Sequence, residues 1–300
     1  FKTALPEGYQ PVPVHSYYPE HNFVFTPYDP TVCPGIASRF ITKGPEVDEL
    51  NRLLPSLIGK VKAEWNYSGV VPEVKTFIDI LSLFDYAMSA KFLGKPVLSE
   101  PLLKQLLTFY SMATLVYFSD PEMMAFYTSE LNKLQLSFLE AAKKGIDQKS
   151  EDYKNLVVMV GHDVNMFFLF KQLGFTSFEC LRKKYDGVES ETCYENPTFA
   201  SSYFFEVYVE EGKYFADFVV NGKKKGFCTG NDSEKCSLDE TIARLKSFTL
   251  PLSKDELLNK YCLLPEKNND TYLKALIGFN LVVIAVIVYF IVNMKRKTNN

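Results

Sequence analysis

Two titratable residues, His162 and Asp163, follow Gly161 at the junction of two apolar runs in NLVVMVGHDVNMFFLFKQLG, residues 155–174. A histidine can donate a hydrogen bond to a phosphate oxygen, and a neighbouring carboxyl group can give a proton to a leaving oxygen. The start of a helix adds a positive dipole end that favours an anion. The pattern therefore predicts phosphoryl transfer. The alternative is that Asp163 caps a helix and His162 is a hydrogen-bonded structural residue.

The elements on either side must hold this pair in place. Residues 155–160, NLVVMV, form a short β-branched run without alternation, which is typical of a strand covered on both faces in a parallel sheet. The following VNMFFLFKQLG predicts a buried helix that ends at Gly174. Residues at the carboxyl ends of such strands line the ligand crevice, and Gly161 lets the backbone turn there.

Helical patterns dominate the chain before this junction, at about residues 45–145. The predicted helices are 50–58, broken or kinked by Pro55, then 71–94, then 99–118 with Ser99 as N-cap, and a fourth from Asp120 to Gly145. Their methionines and aromatic residues are assigned to a core. Downstream, 203–220 predicts two strands joined at Glu211-Gly212, and LDETIARLKSF predicts an amphipathic helix. The sequence thus predicts an α/β core, at about 150–262, interrupted by a helical lobe.

Composition and motif counts exclude several classes of function. The 300 residues are 47% hydrophobic and carry a net charge of −3, which allows a large core but does not suggest nucleic-acid binding. Of the three histidines, His15 and His21 lie in a proline-rich segment without ligand-like spacing, and no Cys-x-x-Cys occurs. We therefore expect no metal. No Gly-x-Ser-x-Gly motif of a serine hydrolase is present.

The end of the chain predicts a membrane anchor. Residues 275–292, ALIGFNLVVIAVIVYFIV, carry no charge and are about long enough to cross a bilayer. Lys295, Arg296 and Lys297 follow, so residues 293–300 are predicted to be a cytoplasmic tail and residues 1–274 a lumenal or extracellular domain.

Sequons and cysteines agree with that topology. Asn66, Asn231 and Asn269 begin N-glycosylation sequons, and the six cysteines, an even number, all lie in the lumenal part. Three disulfides are expected. The chain starts at Phe1 without a signal-peptide pattern, which we interpret as an incomplete or processed N-terminus.

Several ordered motifs resemble those of the histidine acid phosphatases of the lysosomal and prostatic type. They are GYQPVPVHSYYPE, TVCPG around Cys33, VMVGHDVN, and Cys228 and Cys236 followed by SLDETIARL. The resemblance implies a phosphoglycerate-mutase-like three-layer α/β core with a helical lobe, and hydrolysis of phosphate monoesters through a phosphohistidine, without a cofactor. It assigns phosphate binding to His162 and proton donation to Asp163. It also implies a membrane form in a lysosome-like vesicle or at the cell surface.

The sequence departs from this family at the nucleophile. No Arg-His-Gly occurs, so neither the attacking histidine nor the main phosphate-binding arginines are in these residues, and Val164 stands where a threonine is common. The alternative function is therefore a catalytically inactive phosphatase-like ectodomain with a binding or structural role. The family pattern implies the disulfides Cys33–Cys262 and Cys228–Cys236, with Cys180–Cys193 remaining, a structural role for His15, and leaves a homodimer open.

Overall fold

The computed structural model describes residues 24–65, 73–95, 97–148, 156–188, 193–228 and 235–263, with the backbone alone at 146–148. Within these ranges the protein is mainly helical, and its one sheet has three strands in the order β1-β2-β3. The predicted fold class, a three-layer α/β core built on a parallel sheet, is wrong for the described residues. The reason lies in the segment before His162, taken up below.

The helices follow one another along the chain with short connections. They are α1 (Pro45–Glu64), α2 (Asp79–Phe92), α3 (Glu100–Tyr117), α4 (Pro121–Gln148), α5 (Asp163–Leu173), α6 (Phe178–Tyr185), α7 (Leu238–Ser247) and α8 (Lys254–Leu257). A 3₁₀-helix precedes them at Pro34–Arg39, and a π-helical turn closes the described chain at Leu258–Cys262.

The helical lobe forms much as its sequence predicts, with three corrections. Helix α2 begins at Asp79 and not at residue 71, since residues 73–78 are not helical. Helix α1 continues through Pro55 instead of breaking there, because Leu54 and Leu57 on either side are buried in one core while Pro55 faces solvent. Helix α4 passes the expected stop at Gly145 and reaches Gln148. Helix α6 was not predicted at all.

The sheet is an antiparallel meander. Strands β1 (Tyr203–Glu210) and β2 (Lys213–Val220) pair in the register Tyr203 with Val220 and Glu210 with Lys213, and β3 (Lys223–Lys225) adds to β2. Both residues of the tight turn, Glu211 and Gly212, have positive φ, at 51° and 73°. Two such residues make the turn that suits the twist of a hairpin. The hairpin predicted at 203–220 is therefore confirmed.

The strand predicted at 155–160 does not form. Residues 156–160 belong to no strand or helix, and Leu156, Val158 and Val160 are 76%, 69% and 85% exposed. A strand of this kind needs a neighbour on each edge, and no described strand lies beside it. Without this strand and its neighbours, the described residues form no parallel sheet.

Helix α5, which follows the pair, is apolar and buried over the five consecutive residues 166–170, which together face all sides of the helix. Phe167 packs in the core of α1, α2 and α3, Leu169 and Phe170 pack with α4, α7 and the hairpin, and Phe168 packs with the segments around Cys33 and Cys262. A helix that is hydrophobic all round must be enclosed. Helix α5 thus joins the three apolar cores of the described structure.

The predicted membrane anchor cannot be located in this fold. Residues 275–292 lie outside the described ranges, and within those ranges no helix has both the length and the apolar character needed to span a bilayer.

Candidate active site

Asp163 is the first residue of α5, and its side chain is held through one oxygen. The hydroxyl of Tyr110 donates to Oδ2 at 3.3 Å, and Nδ2 of Asn196 also donates to Oδ2. No described residue bonds to Oδ1. The carboxyl group is therefore fixed in orientation through Oδ2.

Tyr110 reaches Asp163 from the middle of α3. Its ring is buried and stacks on Phe84 of α2, with the ring centroids 4.3 Å apart. Burial first, and next the negative charge of Asp163, raise the pKa of Tyr110 far above its usual range. The phenol therefore keeps its proton at every physiological pH and remains a hydrogen-bond donor.

Asn196 approaches from the other side and is itself firmly held. It is 2% exposed, and its backbone N–H donates to Oγ of Ser111 at 2.8 Å. The preceding Glu195 forms an ion pair with Lys184 at 2.8 Å, and both side chains are only 13% exposed. Separating largely buried charges would leave each without its partner, so this ion pair helps to hold the segment in place. Asn196 therefore positions the carboxyl group of Asp163.

His162 precedes α5 with an exposed side chain. Its backbone N–H donates to Oδ1 of Asn165 at 2.8 Å, and Nδ2 of Asn165 donates to the carbonyl oxygen of Phe25 at 2.9 Å. The ring of Tyr28 meets the imidazole edge-on, with centroids 6.3 Å apart. The backbone of His162 is thus fixed at the N-terminus of α5, and the residue is exposed to solvent.

Gly161 has a different role from the one predicted. Its φ does not lie in the left-handed region, so a turn does not require glycine. A Cβ at this position would lie 2.7 Å from Cδ1 of Phe25 and 2.9 Å from Oδ1 of Asn165. Both distances are far below van der Waals contact. Glycine is required because the Phe25 segment packs directly against the backbone beside His162.

A second carboxyl group, Asp85 of α2, lies at the rim of the site. Burial on its inner side, followed by the negative charge of Asp163, raises the pKa of Asp85 to about 6. Burial, with the charges of Asp163 and Asp29, also raises the pKa of Tyr28 far above its usual range. The surroundings of Asp163 are therefore acidic and phenolic.

Most described arginines are engaged elsewhere. Arg52 and Arg182 both bind Glu49, and Arg244 donates to the carbonyl oxygens of Cys228 and Leu173. None of these three offers its guanidinium to a phosphate beside His162.

The structure contains three disulfides: Cys33–Cys262 and Cys228–Cys236, which the resemblance implied, and Cys180–Cys193, the pair that remained. The second joins α6 to the segment that ends in Asn196. The third occupies the sulfurs of Cys228 and Cys236, which with Glu240 are the one described group with metal-ligand spacing. A disulfide sulfur is a poor metal ligand because the thiolate is the binding form.

Several sequence-predicted sites lie outside the described residues. These are the glycosylation sequons at Asn66, Asn231 and Asn269, and His15, for which a structural role was predicted, also lies outside those residues. Of the predicted site, the structure brings together His162 and Asp163, which are adjacent in sequence. It adds Tyr110, Asn196 and Asp85, which sequence analysis did not single out, because nothing in their local pattern distinguishes them from core or surface residues.

No protein-family model matches this chain, and a comparison with curated proteins finds no match.

Proposed function

We propose that this protein hydrolyses phosphate monoesters, with His162 binding a phosphate oxygen and Asp163 donating the proton to the leaving group. The observation that carries the proposal is how Asp163 is held. A capping aspartate accepts hydrogen bonds from backbone amides of its helix. The N-cap here is His162, and the carboxyl group of Asp163 instead accepts from Tyr110 and Asn196. Asp163 therefore does not cap α5, and the alternative to catalysis is a structural pair in which His162 is the N-cap.

The proposed reaction follows the resemblance to the histidine acid phosphatases. A histidine nitrogen attacks phosphorus, the bond from phosphorus to the leaving oxygen breaks, and Asp163 gives its proton to that oxygen. Water then attacks the phosphohistidine, Asp163 takes a proton from it, and phosphate leaves. Splitting the transfer into two steps lowers each barrier. No Arg-His-Gly occurs in residues 1–300, so the proposal names no attacking histidine among them.

The placement of residues 1–274 in a lumen or outside the cell remains a prediction from the sequence, as do a lysosome-like location and a homodimer.

The decisive experiment compares leaving groups in the protein expressed from its complete reading frame. Asp163→Asn should lower kcat for an alkyl phosphate by about 10² to 10⁴, since general acid catalysis is typically of this size. The loss should be far smaller for p-nitrophenyl phosphate, whose phenolate leaves without a proton. Inorganic phosphate should still bind. Asp239→Asn, in the first turn of α7 and paired with Lys143 on the surface, is the matched control.

Two outcomes decide against the proposal. Equal losses for both esters would assign Asp163 a structural role. Absence of turnover in the wild-type protein would favour the alternative function, an inactive phosphatase-like ectodomain. His162→Ala should distinguish phosphate binding by His162 from proton donation by Asp163. Inhibition by inorganic phosphate should weaken strongly, because a phosphate ligand is lost, while the ratio of kcat values for the two esters should change little.

A further inference from the structure

The two edges of the three-stranded sheet differ in sequence. The edge strand β3 is short and consists of lysines, Lys223–Lys225, and a short, positively charged edge resists pairing with another chain. The edge strand β1, Tyr203–Glu210, is longer and contains no lysine, proline or glycine. Its register with β2 continues without a bulge from one end to the other. The β1 edge therefore keeps the properties of a strand that can pair.

The outer edge of β1 has no partner in the part of the chain that the structure describes. Strand β1 lies at one end of the order β1-β2-β3, and the backbone of residues 203–210 makes no described hydrogen bond outside the sheet. In an antiparallel pair, alternate residues direct their N–H and C=O groups to the neighbouring strand. The other residues of β1 direct these groups outward, where a further strand can bind them.

Both faces of β1 also expose an apolar side chain. Residues 203, 205 and 207 lie opposite buried residues of β2, so the odd-numbered residues share the core face and the even-numbered residues face solvent. Phe204 on the solvent face and Val209 at the end of the core face are each 46% exposed. A strand added to this edge covers both side chains, because residues opposite each other on neighbouring strands are in contact.

A second copy of β1 can bind here about a two-fold axis. An axis perpendicular to the sheet makes the two strands antiparallel and sets the residue on the axis opposite its own copy. An axis at Glu206 pairs residues 203–209, and an axis at Val207 pairs residues 204–210. The axis at Glu206 sets two carboxylates directly opposite each other, which is destabilising. The charges therefore favour the axis at Val207.

The pairing about Val207 is complementary along its length. It sets Phe204 opposite Glu210 of the second copy and Glu206 opposite Tyr208, so no two carboxylates are opposed. On the core face it sets Phe205 opposite Val209, which gives the exposed valine an apolar neighbour.

We propose that the protein forms a homodimer in which the β1 strands of two copies pair antiparallel about Val207. The two three-stranded sheets then become one continuous sheet. The interface consists mainly of one strand pair and is small, so the dimer dissociates on dilution. This proposal does not depend on the proposed phosphatase function, because it uses no residue of the candidate active site.

Cysteine cross-linking tests the register. Opposite Cα atoms of an antiparallel pair are about 4.5–5.5 Å apart, which a disulfide can bridge. Val207→Cys should therefore give a covalent dimer on mild oxidation. Glu206→Cys is the matched neighbour, and its two copies are diagonal to each other at about 7–8 Å. In the protein expressed from its complete reading frame, non-reducing electrophoresis should show at least about fivefold more dimer for Val207→Cys.

A charge substitution tests the interface without a new cysteine. Phe204→Glu sets a carboxylate opposite Glu210 at both ends of the strand pair and should raise the Kd of the dimer about tenfold. Phe199→Glu changes another exposed phenylalanine, outside the sheet, and should leave the Kd unchanged. Sedimentation velocity of the full-length protein in detergent, over a range of concentrations, measures both values.

Three results would overturn the proposal. They are a wild-type protein that stays monomeric at every concentration at which it is soluble, equal cross-linking of the two cysteine variants, and equal effects of the two glutamate variants. Amide hydrogen exchange gives a further check on β1. Protection of its outward amides that is the same in dilute and concentrated samples would mean that another part of the chain covers the edge, which also rejects the dimer.

Discussion

The two apolar runs that flank His162 and Asp163 behave in opposite ways. Residues 156–160 are exposed and belong to no element, whereas α5 is enclosed by three apolar cores. Both runs lack polar alternation, which predicts burial in each case. The difference shows that an apolar sequence pattern indicates a segment that has to be covered, but it does not identify the segments that cover it. Helix α5 satisfies its backbone internally and needs only side-chain contacts, whereas a strand also needs a second chain segment along its edge.

Amide hydrogen exchange is the most direct test of this difference between residues 156–160 and α5. Amides in the middle of α5 should exchange only when the cores open, while those of 156–160 should exchange almost freely. We expect rates that differ by at least about 10³-fold, since core helices exchange through near-global opening. Mass spectrometry of peptic peptides from the full-length protein measures both regions at once. Equal protection would mean that another part of the protein pairs with 156–160.

Truncation of one side chain in each of the two runs should show the same difference in the free energy of unfolding. Phe167→Ala should lower the free energy of unfolding by about 3–5 kcal/mol, because Phe167 is fully buried and leaves a cavity. Val158→Ala should change it by less than about 0.5 kcal/mol, as is usual for exposed positions. Urea unfolding followed by circular dichroism gives both values. A large effect at Val158 would show that the run is covered in solution.

The junction itself should be sensitive to one added methyl group. Gly161→Ala should destabilise the protein by about 1–3 kcal/mol, the usual cost of overpacking, because the new Cβ meets Phe25 at 2.7 Å. Gly59→Ala on α1 is the control, since a Cβ there meets nothing within 4 Å. If the two variants are equally stable, the contact between Phe25 and Gly161 does not persist in solution.

Protonation of Asp85 should make a small contribution to stability that depends on pH. Its pKa is raised from the usual 3.8 to about 6, so the protonated form favours the folded state. That contribution is complete below about pH 4 and is lost as the pH rises through about 6. The wild type should therefore lose stability relative to Asp85→Asn across this window, by less than about 1 kcal/mol because the residue is exposed. Thermal unfolding at several pH values measures it, with Asp48→Asn as control.

The comparison also shows which parts of the fold the sequence could predict. The lobe helices, α5, the hairpin and α7 follow from local periodicity, turn residues and caps, such as the positive φ at Gly174 that ends α5. The predicted strand failed because its identity depends on neighbours distant in sequence. The sequence also failed to predict that α1 continues through Pro55, because the packing of the helix against the core outweighs the local tendency of proline to end a helix.

Part of the candidate site could likewise be predicted from the sequence, and part could not. His162 and Asp163 stand out because they are adjacent and both titratable. Tyr110 and Asn196 lie 53 and 33 residues away from Asp163, and each resembles an ordinary core residue in its local sequence. Only the fold shows that they hold the carboxyl group.

The disulfide between Cys33 and Cys262, which are 229 positions apart in sequence, makes most of the described chain a closed covalent ring. A protease that cuts once inside this ring opens it but releases nothing. Such a nicked molecule migrates as one species on a denaturing gel until a reductant is added, and only then separates into two fragments. The apparent integrity of this protein in an oxidising compartment is therefore no measure of whether its chain is intact.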